Sequence, residues 1–338
     1  MEDWQLQLLA ACLNGLARQK QSLATLEESR NDETRSALTA VEPVFETARR
    51  MAADDTTPPQ RRLLAIPLLG RQCDMHEADL KTLVSLLSAR QPVNIQQAAI
   101  AAITSSRADN IPALLLGNWK TQEPALHQEV LNVLVSRKEW THALVDSIES
   151  GDIRSSELNA AVQSRLLQHS DDSIRARSAG LLKPTAARQS VLKDYAGVMT
   201  TKGDVVHGTE VFTKNCSACH RMHDRGNDVG AKLASLTNKS TDSLLTAILD
   251  PNQAVEGNFV GYVAAMNDGR TFTGMIVEQT ATSITLARPD GKRETLLRID
   301  LEELASTGKS FMPEGLEKDL KQQDIADVIA FLQASNVP

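Results

Sequence analysis

Two cysteines three positions apart, the second followed at once by a histidine, stand in NCSACHRMH, residues 215 to 223. Three chemistries use such a cluster. A dithiol redox pair needs C-x-x-C at the N-terminus of a helix in a β-α-β setting. The preceding residues, DVVHGTEVFTKN, carry a helical pattern instead, and that chemistry leaves His220 without a role. A structural zinc ion wants four ligands enclosing it. Cys216, Cys219, His220 and His223 supply suitable atoms, but all within eight residues and with no second cysteine pair downstream. Covalent haem attachment uses every member: both thiols form thioethers with vinyl groups held at a fixed separation, and the adjacent histidine turns to the iron as proximal ligand.

A haem held in this way needs a second axial ligand, and Phe311-Met312-Pro313-Glu314-Gly315 offers a thioether, a weak ligand suited to electron transfer. The other nearby methionines serve less well. Met222 lies two residues from His220 and cannot reach the opposite haem face, while Met266 and Met275 fall in strand-like sequence. The candidate site is therefore Cys216 and Cys219 as tethers, with His220 and Met312 as axial ligands to the metal. His76, His127, His142 and His169 lie in different predicted helices without ligand spacing and read as surface or locally bonded side chains. Cys12 and Cys73 read as small buried hydrophobes. A phosphate-binding glycine loop, a G-x-S-x-G elbow and a paired-carboxylate motif are all missing from the sequence.

The elements that must position these residues differ between the two parts of the chain. The 338 residues allow about two domains. A hydrophobic content of 41% with 23% charged residues excludes a disordered chain. From Gly203 onward there are 13 Lys and Arg against 19 Asp and Glu, and 11 of the 17 glycines, so the chain is built differently on either side of that point. The acidic second part argues against nucleic acid or anionic lipid as partner. No apolar run approaches the ~20 residues that span a bilayer. LLAAC (Leu8 to Cys12) has the look of a lipoprotein processing site, but MEDWQLQ before it is acidic where a signal peptide is basic. Trp4, Leu8, Cys12 and Leu16 recur every fourth residue and predict the buried stripe of a helix. The chain is expected to begin inside a longer protein, its export signal lying outside this sequence.

Residues 3 to about 182 predict helix after helix, at 58–72, 77–91, 94–107, 110–119 and 123–138. Similar apolar cores begin at 63 (LLAIPLL), 98 (AAIAAIT) and 129 (EVLNVLV), intervals of 35 and 31. This spacing resembles HEAT-type repeats, whose helix pairs stack into a solenoid. Further on, Asn-Asp-Gly and Pro-Asp-Gly separate alternating β-rich runs, predicting four strands at about 258–266, 270–278, 282–287 and 293–298. DLKQQDIADVIAFLQ (319–333) predicts a closing amphipathic helix.

HGTEVFTKNCSACH, GNDVGAKLASL, the distant MPEGL and the closing DIADVIAFL together resemble a class I cytochrome c domain. The resemblance implies that Gly208 and Phe212 on the first helix meet the last helix near Ile329 and Phe331 or Leu332. The family usually has Gly-Pro-x-Leu after the haem motif, with the proline carbonyl accepting a hydrogen bond from the proximal histidine; here Gly230-Ala231-Lys232-Leu233 leaves that carbonyl to Ala231. ILDPNQAVEGNF before the strands and LASTGKSFMPEGLEKDL after them are similar to the haem-binding domain of planctomycete and verrucomicrobial type, over residues ~203–335. The expected fold is mainly α: a HEAT-like α-solenoid (1–185), a connecting helix (186–203), then a cytochrome c helical domain (204–338) carrying a small four-stranded antiparallel β insertion at 257–300.

The implied function is electron carriage by one covalently bound, His/Met-ligated haem c, not catalysis. Implied partners are a sugar or alcohol dehydrogenase, as a missing domain or a separate donor, and a cytochrome or respiratory acceptor. The implied location is extracytoplasmic, periplasmic or in the cell envelope. The alternative is a helical-repeat interaction scaffold whose haem domain is redox-sensing or structural; a third reading, peroxidase-like chemistry, requires an open sixth position on the iron.

Overall fold

The computed structural model describes residues 2–28, 32–72, 75–106, 108, 110–117, 119–183, 185–253, 255–288 and 291–334. Helices hold 58% of the described residues. The chain divides into two compact units, residues 1–134 with 280–282, and residues 135–279 with 283–338, so the compositional shift at Gly203 lies inside the second.

The first unit is helical: α1 (Asp3–Arg18), α2 (Leu23–Glu27), α3 (Asp32–Ala53), α4 (Pro59–Ala65), α5 (His76–Ser85), α6 (Val93–Ser105), α7 (Ile111–Leu116) and α8 (Pro124–Leu134). Proline opens α4 and α8, where its missing N–H costs nothing. After α4 the chain tightens into a 3₁₀ turn at Ile66–Leu68, because Pro67 has no amide with which to continue the helix. Leu80, Leu83 and Leu87 of the predicted 77–91 face are buried.

The stripe expected on α1 is not the buried one. Trp4 and Leu8 are 59% and 56% exposed and Cys12 is exposed, whereas Leu6 and Leu13 are buried with Leu9 and Leu16 partly so. A uniform four-residue step drifts by about 40° per step around a helix of 3.6 residues per turn. The alternating three–four spacing of 6, 9, 13 and 16 stays on one face. Cys12 is thus a surface thiol and not a core hydrophobe, and Cys73 lies outside the described residues. His127 is locally bonded. Its ring stacks on Trp119 at 4.0 Å and its Nε2 donates to the Trp119 carbonyl at 2.7 Å, while burial pushes its pKa down to about 4.

The second unit adds α9 (Lys138–Glu149), α10 (Ala160–Leu167), α11 (Asp172–Leu181), α12 (Ala186–Asp194), α13 (Val205–Asn215), α14 (Thr241–Leu249) and α15 (Gln322–Gln333). A two-stranded ribbon pairs β1 (Arg221–Met222) with β2 (Arg225–Gly226). A larger antiparallel sheet contains β3 (Val260–Met266), β4 (Thr271–Gln279), β5 (Ser283–Ala287), β6 (Arg293–Leu297) and β7 (Leu301–Ser310), in the order β6-β5-β4-β3-β7. The four expected strands are β3 to β6 within two residues of their predicted ends, and the turn glycines Gly269 (φ +85°) and Gly291 (φ +77°) sit in the two hairpins.

The expectation of a four-stranded insertion is corrected by β7. This strand, LEELASTGKS, carries few β-branched or aromatic residues and buries only Leu301, Leu304 and Gly308, at uneven spacing. Its register against β3 is interrupted twice, which breaks the period-two pattern by which strands are read. Its outer edge is covered by the segment between α9 and α10. Arg154 donates to the Thr307 carbonyl at 2.7 Å and Ser156 to the Gly308 carbonyl at 2.8 Å. That covering removes an open sheet edge and ties helices well upstream of Gly203 to the sheet.

α13 and α15 cross at close range. A Cβ on Gly208 would lie 2.0 Å from the Asp327 carbonyl oxygen and 3.1 Å from Phe331 Cβ. A Cβ on Gly203 would lie 2.3 Å from the Ala326 oxygen. Phe212 meets Phe331 with ring centroids 5.1 Å apart, so of the expected partners Phe331 makes the ring contact. Among the described residues, no helix is long and apolar enough to cross a membrane.

Candidate functional site

The C-x-x-C-H segment is the turn that ends α13. Asp204 caps the start of that helix, its side chain accepting from the Val206 and His207 amides at 2.8 and 3.3 Å. At the other end the Cys216 carbonyl accepts from the amides of Cys219 and His220 at 3.1 and 2.9 Å. The two thiols and the imidazole are therefore displayed by a single closed turn.

The following loop folds back onto it. Asn227 N–H donates to the Ser217 carbonyl and Val229 N–H to the Cys219 carbonyl, each at 3.0 Å. Gly226 makes this return with φ +87°, and a Cβ there would stand 2.1 Å from the His220 carbonyl oxygen.

His220 is held in one tautomer. Its Nδ1 lies 3.0 Å from the Ala231 carbonyl oxygen. A carbonyl can only accept, so Nδ1 carries the proton and Nε2 of the neutral ring keeps the lone pair. Burial lowers the His220 pKa, against the opposing pull of the Ala231 bond, which keeps the ring neutral. Beneath the ring, a Cβ on Gly230 would come within 2.6 Å of Cε1, 2.9 Å of Nδ1 and 3.0 Å of Nε2. Glycine is what lets the imidazole lie there. The bond to the Ala231 carbonyl forms although this position is not a proline.

The two thiols face different walls. Cys216 packs against the helical core that contains Phe212, Met222, Leu245, Ile329 and Phe331. Cys219 packs against a smaller cluster from the sheet side: Val229, Met275 and Ala287, with Phe259, Val277 and Phe311. Burial pushes the Cys216 thiol up to about 11, with Cys219 adding to the shift, and raises Cys219 as well. Reactive dithiols have the opposite shift. No group of three or more His, Cys, Asp or Glu gathers for a metal among the described residues, and His223 instead sets its ring edge-on to Phe331 at 5.9 Å. Neutral thiols between apolar walls, beside an imidazole with its lone pair at Nε2, fit a porphyrin whose two vinyl groups would take up the thiols as thioethers and whose iron would take one nitrogen.

Cys216, Cys219 and His220 are brought together in one turn. Met312 is half-buried and follows β7, next to Phe311, which belongs to the Cys219 cluster. Its loop is held by residues that sequence reasoning did not single out: Asn252 after α14, Glu314 beside Met312, and Arg188 and Tyr195 from the α12 segment. For Asn252 and Glu314 the only signal in the sequence was the DPN and PEG turn chemistry, which does not reveal a partner some 60 residues away, and Arg188 and Tyr195 gave none.

A family model for Cytochrome c matches residues 205–285, from α13 through the C-x-x-C-H turn into β5. No curated protein matches the chain at a significant level. Residues 205–285 are thus similar to cytochrome c domains, a likeness that suggests haem c as cofactor and haem-based electron transfer.

Proposed function

We propose that this chain is a one-electron carrier holding a single haem c through Cys216 and Cys219, with His220 and Met312 as axial ligands. The observation that carries the reading is the His220 Nδ1 bond to Ala231, which presents Nε2 as a ligand from a turn that also displays two neutral thiols. A haem so held supplies a one-electron couple with no substrate position at the iron. The protein's own part is to exclude water with the α13–α15 core on one side and the β4–β5 wall on the other. Phe311 in the Cys219 cluster supports Met312 as the thioether, since it brings the neighbouring backbone to the cysteine turn.

The donor in this reading is a dehydrogenase acting on sugars or alcohols, as a further domain or a separate protein, and the acceptor a cytochrome or respiratory component. The sequence likeness to the planctomycete and verrucomicrobial haem-binding type supports that donor class and an extracytoplasmic setting, where haem is attached to C-x-x-C-H. The helices before the domain, with their repeat spacing, would serve as a HEAT-like scaffold to dock it.

The test is spectroscopic. Met275 is buried in the same cluster as Cys219 and is the control methionine. Met312→Ala is expected to abolish the thioether-to-iron absorption band of the oxidised protein while Met275→Ala keeps it. A Met312→Ala spectrum identical to the parent's removes Met312 from the role.

A further inference from the structure

The loop that carries Met312 is closed by one side chain from far earlier in the sequence. Asn252, half-buried in the turn after α14, accepts the Ser310 N–H on Oδ1 at 2.7 Å and donates from Nδ2 to Glu314 Oε1 at 2.5 Å. The chemistry fixes the amide's orientation, because an N–H needs the oxygen and a carboxylate needs the NH2. One residue thus grips the loop two positions before Met312 and two positions after it.

Each backbone amide between is accounted for. Phe311 N–H donates to the Phe259 carbonyl at 2.8 Å and Met312 N–H to Ser310 Oγ at 3.2 Å. Pro313 has no amide and a fixed φ. Beyond the loop, the Tyr195 hydroxyl lies 2.9 and 2.8 Å from the carbonyl oxygens of Glu317 and Leu320. Arg188 pairs with Glu317 at 2.9 Å and donates to the Leu249 carbonyl at 3.0 Å. A thioether is a weak ligand, so its hold depends on the loop being ordered before the bond forms.

Asn252 is also a neutral residue in an acidic setting. Asp250 and Glu314 repel each other, and Arg188 lies within the field of Asp250, Glu314 and Glu317. A carboxylate in place of the Asn252 amide would lose the donor to Glu314 and add a like charge.

We infer that Asn252 is a positioning residue for Met312, clamping Ser310 to Glu314 so that the thioether stays on the iron; this rests on the haem reading above. The experiment compares the oxidised spectrum and the hydrogen exchange of the Ser310 amide in the haem-loaded parent, N252A, N252D, N252D/E314Q and M312A. Loss of a hydrogen bond to a charged group predicts a roughly tenfold rise in the ratio of band-less to band-bearing protein in N252A and N252D, with covalent haem retained. Ser310 exchange is expected to quicken in N252A. In N252D/E314Q the new amide at 314 can donate to the new carboxylate, and the band is expected to return. A parental band in both single variants while M312A loses it overturns the positioning role and leaves the haem reading standing. A band lost in N252D and not returned by E314Q also overturns it, as a general folding defect. A band that survives in M312A removes both this inference and the Met312 assignment.

Discussion

At the scale of single residues, the site is governed by what cannot be larger or otherwise bonded. Gly230 is the sharpest case, because the three atoms nearest to a side chain there all belong to the His220 imidazole. Gly230→Ala must displace His220 or the loop that supplies the Ala231 carbonyl. The expected cost is about 1–3 kcal/mol of overpacking, seen as a lower thermal midpoint, with reduced haem attachment measured by intact mass. Full attachment with an unchanged midpoint would show that the ring does not sit against Gly230. That Cys216, Cys219 and His220 share one turn was legible in the sequence because their spacing is local and fixed. The Ala231 carbonyl was legible for a different reason, since the resemblance to the Gly-Pro-x-Leu pattern pointed to it. Asn252 was not, because its function exists only once the turn after α14 meets the end of β7.

At the scale of elements, the α13–α15 crossing holds the C-x-x-C-H turn against the last helix. The Gly208 contact is with backbone, so it cannot be relieved by a side-chain rotation. Gly208→Val is expected to force the helices apart and destabilise the protein by about 3 kcal/mol or more, measured by denaturant unfolding. The same crossing carries an ion pair, His207 Nδ1 to Asp327 Oδ2 at 2.7 Å. The Asp327 bond raises the His207 pKa above 6.5, against a smaller desolvation effect. Burial pushes Asp327 up, but the Asp204 amide, His207 and Gln323 outweigh it and hold it below 3.8. The His207 contribution is therefore complete below pH 6.5 and lost as pH rises through the elevated value. That of Asp327 is present above 3.8 and lost as pH falls through its lowered value. His207→Ala is expected to destabilise the protein at pH 5.5 and to have little effect at pH 9; an equal effect at both would contradict the pairing. Elements were readable wherever the pattern was regular. Strands β3 to β6 announced themselves by alternation and turn glycines, whereas β7 did not, because its irregular burial gives no period. On α1 a regular four-residue step misled, because Trp4, Leu8 and Cys12 lie on the exposed side and only Leu16 reaches the buried face.

At the scale of the whole molecule, the change of composition at Gly203 marks a change of architecture and not a break in packing. Gly203 itself is pressed against Ala326, and the covering of β7 by Arg154 and Ser156 draws helices before α12 into the same compact unit. Limited proteolysis is expected to leave a resistant fragment that begins before residue 154; a stable fragment beginning near residue 203 would contradict this packing. The C-x-x-C-H turn, the sheet wall and the Met312 loop belong to the same compact unit, and the proposed haem would be held there by Cys216, Cys219, His220 and Met312. The measurement that bears on it most directly is the intact mass, with peptide mapping, of the protein made in a compartment where haem is attached to exported chains. The account predicts one haem bonded through Cys216 and Cys219, retained under denaturation. A bare polypeptide mass, with both thiols open to alkylation, would contradict it.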